Sequence, residues 1–304
     1  MRADELKQVS TDHGFLACGI TTLEPVPHGD ALDDWLAKGY AGTMRYLHRQ
    51  AKKRKEPERI VPGAMSVIVV LENYCPSARP PVRPSVQIAK YAQGEDYHRA
   101  FLARLDAFGA VLRAHGAQVA HAFADSGPVP ERELAQRAGL GWIGKNTMLI
   151  RPGAGSFFFI GTIFTDLALE ADQPFELDRC GSCTRCLEAC PTGAFVDERV
   201  LDATRCLSFL TIEWKGPIPK EHADHAEGWA FGCDICNDVC PWNERFAEPS
   251  TRPEYLPTEV PDCSDPDYFE RMTEAEFAVL FADTPMERPG LAGMRRNWRV
   301  GFGP

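Results

Sequence analysis

CGSCTRCLEACP (180–191) and CDICNDVCPW (233–242) decide how this chain is read. The first sets four cysteines at C-x2-C-x2-C-x3-C and follows the last with a proline. The second repeats the C-x2-C-x3-C-P ending without the opening cysteine. A four-iron cluster takes four thiolates, so the second run is one ligand short. Cys206, isolated in TRCLSF, is the nearby cysteine that completes it. Eight of the eleven cysteines thus fall between 180 and 240, while Cys18, Cys75 and Cys263 are scattered. Such clustering is not a disulfide framework in a chain that opens without a secretion signal.

In bacterial ferredoxins the fourth cysteine of such a run serves the other cluster. That exchange gives one [4Fe–4S] cluster Cys180, Cys183, Cys186 and Cys240, and the second Cys190, Cys206, Cys233 and Cys236. Zinc is the competing reading, because C-x2-C pairs also bind zinc. Three cysteines at C-x2-C-x2-C crowd one tetrahedral ion, however, and the proline after Cys190 and Cys240 fits the ferredoxin turn. Two close clusters form a wire for single electrons, and the rest of the chain is expected to hold their acceptor.

Composition sets the frame. The 304 residues are 44% hydrophobic and 25% charged, ordinary for a globular protein with a buried core. The N-terminus MRADELKQVSTDHGF has no apolar leader. SVIVVL (66–71) and SFFFIGTIF (156–164) are too short to span a bilayer and read as buried strands. A cytoplasmic location without membrane attachment is expected. A net charge of −10 argues against non-specific coating of nucleic acid. RQAKKRKEPER (49–59) nevertheless holds six Lys/Arg against two Glu, and MRRNWR (294–299) sets three Arg around a Trp. Local basic patches on an acidic chain suit a structured nucleic-acid partner, and equally an ordinary solvated face.

Periodicity predicts helices near 2–13, 30–38, 43–55, 96–116 and 131–139. Strands are expected over 15–20, 66–71, 117–125 and 156–164, with LGWIGKNTM as a loop and a Pro- and Asp-rich stretch over 249–268. No G-x-G-x-x-G opens a helix after a strand, which argues against a dinucleotide domain. DYHRAF (96–101) begins like the D-x-H-x-x-G of proteins that ligate cobalamin through histidine. Phe101 replaces the glycine and the segment lies inside a helix, so His98 is read as structural.

ADSGPVPERELAQRAGLGWIGKNTMLI (124–150), then FFFIGTIFTDL and the two cysteine runs, closely resemble the epoxyqueuosine reductases. The resemblance spans about residues 5 to 300. It implies a cobalamin-dependent oxidoreductase that reduces the epoxide of epoxyqueuosine at the tRNA wobble position to queuosine, the last step of queuosine biosynthesis. The fold class it implies is α+β. An N-terminal α/β cobalamin- and substrate-binding domain (1–170) would resemble nitroreductase-like cobalamin proteins. A bacterial-ferredoxin-like module with two [4Fe–4S] clusters (171–250) follows, then a helical C-terminal segment (251–304) packed on the core. Partners implied are tRNA carrying epoxyqueuosine in its anticodon and an external single-electron donor of flavodoxin or ferredoxin type. Some members carry a C-terminal helical-repeat extension for tRNA; the sequence here stops near RRNW, and contacts of that kind are not expected from it.

The resemblance also points to residues. Asp125, at a strand end before a Ser-Gly-Pro turn, is the expected proton donor, its pKa raised by burial beneath the corrin; alone it would read as a turn aspartate. Arg54, Tyr91, Lys145, Asn146, Ser208 and Asp234 are candidate cobalamin contacts, with Tyr97 as a further cavity residue. Lys52, Lys53, Arg54, Lys55, Arg295 and Arg296 are candidate phosphate contacts. The alternatives are a dehalogenase-like cobalamin reductase, a plain electron-transfer ferredoxin, or an RNA-binding protein with structural zinc.

Overall fold

The computed structural model describes residues 2–76, 85–258 and 261–303. Four strands, β1 (Ala17–Thr21), β2 (Ser66–Asn73), β3 (Ala120–Ala124) and β4 (Phe158–Thr165), form one sheet in the order β1-β2-β4-β3. Every neighbouring pair is antiparallel. The helices that matter below are α1 (Ala3–Asp12), α2 (Arg45–Lys55), α3 (Tyr97–Ala114), α4 (Glu131–Arg137), α5 (Leu207–Ile212) and α6 (Gly290–Phe302).

Both faces of the sheet are covered, which is why β2 and β4 read as unbroken apolar runs rather than alternating ones. Ile68, Val70 and Ile163 pack with Phe101, Leu105 and Phe108 of α3 on one face. Val67, Val69, Leu71 and Phe164 pack with Leu134 and Ala135 of α4 on the other. Burying each of these side chains contributes about 1.5–3 kcal/mol. Gly161 in β4 lets α3 approach: a Cβ there would lie 2.7 Å from the Phe101 ring and 2.8 Å from Leu105.

β2 ends in a charge. Glu72 is buried, and Arg104 of α3 donates to it from Nε at 2.8 Å and from Nη2. Arg104 also pairs with Glu254, and the Tyr255 hydroxyl donates to Glu72. A buried carboxylate needs such pairing, and here the pairing fastens the C-terminal stretch to the sheet. Further on, α6 buries Leu291, Met294 and Trp298 in a second apolar cluster with Phe231, Phe269 and Phe281. Of the proline- and aspartate-rich stretch 249–268, residues 259 and 260 lie outside the described residues.

LGWIGKNTM is a turn over most of its length, as expected, but Trp142–Ile143 within it pairs antiparallel with Leu149–Ile150 as a short ribbon. Its turn depends on Thr147 in the left-handed region at φ 66°, a conformation that periodicity does not announce. No helix among the described residues is long and apolar enough to cross a membrane.

Candidate functional site

β3 stops at Ala124, and Asp125 turns out of the sheet at φ 58°. A non-glycine residue is seldom found in the left-handed region and stays there only when its surroundings insist. Three contacts do so. The Asp125 N–H donates to Glu131 Oε1 at 2.8 Å. The Tyr97 hydroxyl donates to Asp125 Oδ2 at 2.6 Å. His98 Nε2 lies 3.7 Å from the same oxygen.

Tyr97 and His98 form the first turn of α3, whose N-cap is Asp96. The Asp96 carboxylate accepts from the His98 N–H at 3.0 Å and lies 2.7 Å from His98 Nδ1. Tyr97 is stacked between His98 and Phe159, each with its ring centroid 4.1 Å away. His98, read as structural, has a helical backbone and an imidazole that bridges the Asp96 and Asp125 carboxylates.

These partners decide the protonation states. The cavity walls around it would push the Asp125 carboxyl up by desolvation, but hydrogen bonds from His98 and Tyr97 and the charge of His98 hold it below the ordinary aspartate value. In this structure the shift is thus opposite to the one expected beneath a corrin. Burial would lower His98, yet Asp125 and Asp96 raise it to about 9. Glu131 is pushed up to about 8, by burial first and by the Asp125 charge second. At neutral pH the mobile protons of this corner sit on His98 and Glu131.

Asp125 is shared by two cavities. The larger, about 630 Å³, is lined by Arg54, Tyr74, Ile143, Met148, Phe158 and Ser208 among others. The smaller, about 550 Å³, is more polar, with Asp96, His98, Glu213, Thr284, Glu287 and Arg288. Tyr91, Tyr97 and Asp125 line both. The Asp125 side chain is 63% exposed because both cavities open onto it.

The cysteines gather beside them. Cys180, Cys183, Cys186 and Cys240 line a cavity of about 220 Å³. Cys240 is placed by the helix it caps, Pro241–Phe246, with proline in the first turn, where its missing N–H costs nothing. Burial pushes the Cys186 thiol up to about 11, and Cys180, Cys240 and Cys183 are the neighbours that add to the shift. Burial likewise raises Cys233, next to Cys206 and Cys190, and Cys236, next to Cys233 and Cys206. Cys206 caps α5, so Ser208 in the first turn of α5 joins this second group to the larger cavity.

The remaining candidates divide. Arg54, Tyr91, Asp125 and Ser208 share the larger cavity. Lys145 and Asn146 do not: they line the cysteine cavity, Lys145 pairing with Glu198 at 2.7 Å and Asn146 donating to the Cys236 carbonyl at 3.3 Å. Asp234 is buried away from both large cavities and accepts from the Lys90 N–H at 2.7 Å. Arg295 and Arg296, expected at phosphates, are corrected: Arg295 donates to the carbonyls of Phe269 and Met272, Arg296 to those of Leu210, Trp214 and Gly216. Lys55 pairs with Asp33 at 2.5 Å. Lys52 and Lys53 are exposed, and with Arg45 and Arg49 they follow helical spacing along one face of α2. Tyr74, Glu131, Glu213 and Arg288 were not singled out from the sequence.

A two-sided α/β sheet joined to a module with two cysteine quartets defines an iron–sulfur oxidoreductase. Residues 179–243 match the family model described as "4Fe-4S double cluster binding domain", and residues 54–126 match "Epoxyqueuosine reductase QueG, DUF1730". The epoxyqueuosine reductase of Cyclobacterium marinum is 41% identical over 297 residues, 96% of this chain and 94% of that one. A crystal structure of epoxyqueuosine reductase with an epoxyqueuosine-modified tRNA-Tyr stem loop superposes with TM-score 0.89 at 30% identity, covering 98% of this chain and 80% of that one. A Bacillus subtilis epoxyqueuosine reductase, with its catalytic aspartate loop swung out of the active site, gives TM-score 0.87 at 29% identity and the same coverage. The chain belongs to the epoxyqueuosine reductase family.

Proposed function

We propose that the protein reduces the epoxide of epoxyqueuosine at the wobble position of a tRNA anticodon, the last step in making queuosine. The reaction consumes two electrons and two protons, leaves the alkene and releases the epoxide oxygen as water. The observation that carries this reading is Asp125, held in a left-handed turn where two cavities meet and hydrogen-bonded to Tyr97.

The residues of the larger cavity fit cobalamin. Phe158, Ile160, Ile143 and Met148 offer an apolar floor for the corrin face, while Ser208 and Thr147 offer polar atoms to its rim amides. Bound there in reduced form, cobalamin supplies the strong nucleophile or one-electron donor that opens an epoxide, refilled singly through the clusters. Cys180, Cys183, Cys186 and Cys240 would hold one cluster, and Cys190, Cys206, Cys233 and Cys236 the other, each thiol giving up its proton on binding.

The smaller cavity takes the modified nucleoside, its carboxylates facing the substrate's secondary ammonium and hydroxyls. Asp125, its carboxyl ionised at rest, passes to the departing oxygen a proton that it takes from His98, itself held by Asp96. The Bacillus subtilis relative, with an aspartate on its catalytic loop, supports that role. The relative solved with a modified tRNA stem loop supports the partner, and the exposed basic face of α2, through Arg45, Arg49, Lys52 and Lys53, would meet phosphates. Electrons come from an external flavodoxin- or ferredoxin-type donor in the cytoplasm.

The test is turnover. Anaerobically reconstituted, reduced protein is given an epoxyqueuosine-bearing anticodon stem loop, with and without cobalamin, and the digested nucleosides are weighed by mass spectrometry. Queuosine should form only with cobalamin. Formation without it removes the cobalamin reading, and no formation with it removes the substrate.

A further inference from the structure

The loop that carries Asp125, DSGPVPE (125–131), is fastened at two points. At one end Glu131, first residue of α4, accepts the Asp125 N–H. In the middle the Arg54 guanidinium, at the end of α2, spreads over two carbonyls: Nη1 donates to Val129 O at 3.0 Å and Nη2 to Gly127 O at 3.1 Å. Gly127 itself lies flat on Phe123, where a Cβ would approach the ring to 2.4 Å. The loop needs such fastening, because a non-glycine residue in the left-handed region brings its Cβ too close to the following carbonyl oxygen. Hydrogen bonds to two carbonyls and one N–H offset that cost.

We infer that Arg54 and Glu131 are positioning residues that latch this loop in the turn presenting Asp125 to both cavities. This rests on the role given to Asp125 above and adds to it. Arg54, on this account, acts on the loop, since both of its terminal nitrogens are spent there. The planar fork explains why arginine is suited to the position: lysine reaches one carbonyl at a time. Glu131 acts through an oxygen that accepts, so glutamine retains the contact and alanine does not.

The experiment compares Arg54→Met, Arg54→Lys, Glu131→Ala and Glu131→Gln with the wild type, all reconstituted with iron, sulfide and cobalamin. Hydrogen exchange is read at the amides of Asp125, Ser126, Gly127 and Val129, beside single-turnover rate and KM for the stem loop. Glu131→Ala should speed exchange about fivefold, the worth of one hydrogen bond, and Arg54→Met up to about 25-fold, the worth of two. Their single-turnover rates should fall by up to about 10²-fold, as misplacement by an ångström does, while KM and iron content stay put. Glu131→Gln should recover most of the loss, and Arg54→Lys part of it. Unchanged exchange in both Glu131→Ala and Arg54→Met overturns the latch, as does Glu131→Gln behaving like Glu131→Ala. Exchange does not depend on the chemistry of Asp125. If Asp125→Asn turns over at the wild-type rate, the proton-donor reading fails while the exchange data still decide the latch.

Discussion

The sheet and the cysteine module stand side by side but are held together by different means. β2 and β4 are buried on both faces, and Phe101, Leu105 and Phe108 close one of them with no exposed surface. Residues 176–182 are largely at the surface, and each cysteine run contributes a helix of only four residues, Arg185–Glu188 and Ile235–Asp238. One region closes on its own apolar side chains. The other gathers thiols, of which burial raises Cys186, Cys206, Cys233, Cys236 and Cys240, so that these keep their protons until metal displaces them. Stability and electron transfer are thereby kept in separate parts of the chain, with the Asp125 corner at their boundary.

The sharpest break between the regions should come from core truncation. Phe101→Ala should destabilise the whole fold by about 3–5 kcal/mol, read by denaturant unfolding. Anaerobic chelation of iron should instead leave the sheet's far-ultraviolet dichroism and erase the visible absorption. Loss of the sheet signal on chelation would mean that the module supports the sheet after all. Next in size is Cys206→Ala, which should cut bound iron from about eight to about four per chain. Replacing Cys18, Cys75 or Cys263 should leave iron unchanged. Full iron in Cys206→Ala would break the exchanged pairing.

How far each region could be read from sequence follows from the same contrast. Cluster ligands are local in the chain, so their spacing is a chemical statement that survives folding. The cavity is assembled from α2, α3, the β3 end, α4, α5 and the stretch before α6. Asp125 was legible through the family resemblance, since a strand end and a Ser-Gly-Pro turn alone announce only a turn aspartate. His98, Glu131, Glu213 and Arg288 were not, since nothing local tells a helical histidine that a distant carboxylate will meet it. Lys145 and Asn146 show the finer failure. The turn of the 142–150 ribbon divides its side chains between two sides: Ile143, Thr147 and Met148 line the larger cavity, while Trp142, Lys145 and Asn146 turn to the cysteines. Arg295 and Arg296 read as a basic patch because their charge is visible in sequence and the carbonyls that absorb it are not.

A smaller effect follows from the boundary itself. His98 is raised from its ordinary 6.5 to about 9, so its contribution to stability is complete below pH 6.5 and is lost as pH rises through 9. Glu131, raised from 4.5 to about 8, acts in the same direction over its own window. Thermal midpoints should therefore decline on the alkaline side between about pH 6.5 and 9, and His98→Gln should flatten the upper part of that decline. A profile as steep in His98→Gln as in the wild type would remove the imidazole from the network. The smallest effect concerns α2. Reversing charge in Lys52→Glu/Lys53→Glu should weaken stem-loop binding and lower the salt slope by about two phosphate contacts. An unchanged slope across a salt titration would send the anticodon arm to another face.

The most direct measurement is a single-turnover comparison of wild type and Asp125→Asn, both loaded with iron, sulfide and cobalamin and reduced before the modified stem loop is added. Asparagine preserves the acceptor for Tyr97 and cannot carry the proton. Both proteins should show the same visible spectrum and stem-loop affinity, while the rate of queuosine formation should fall by about 10²–10⁴-fold in the variant. Equal rates would contradict the account and leave Asp125 as the residue that merely turns the chain out of the sheet.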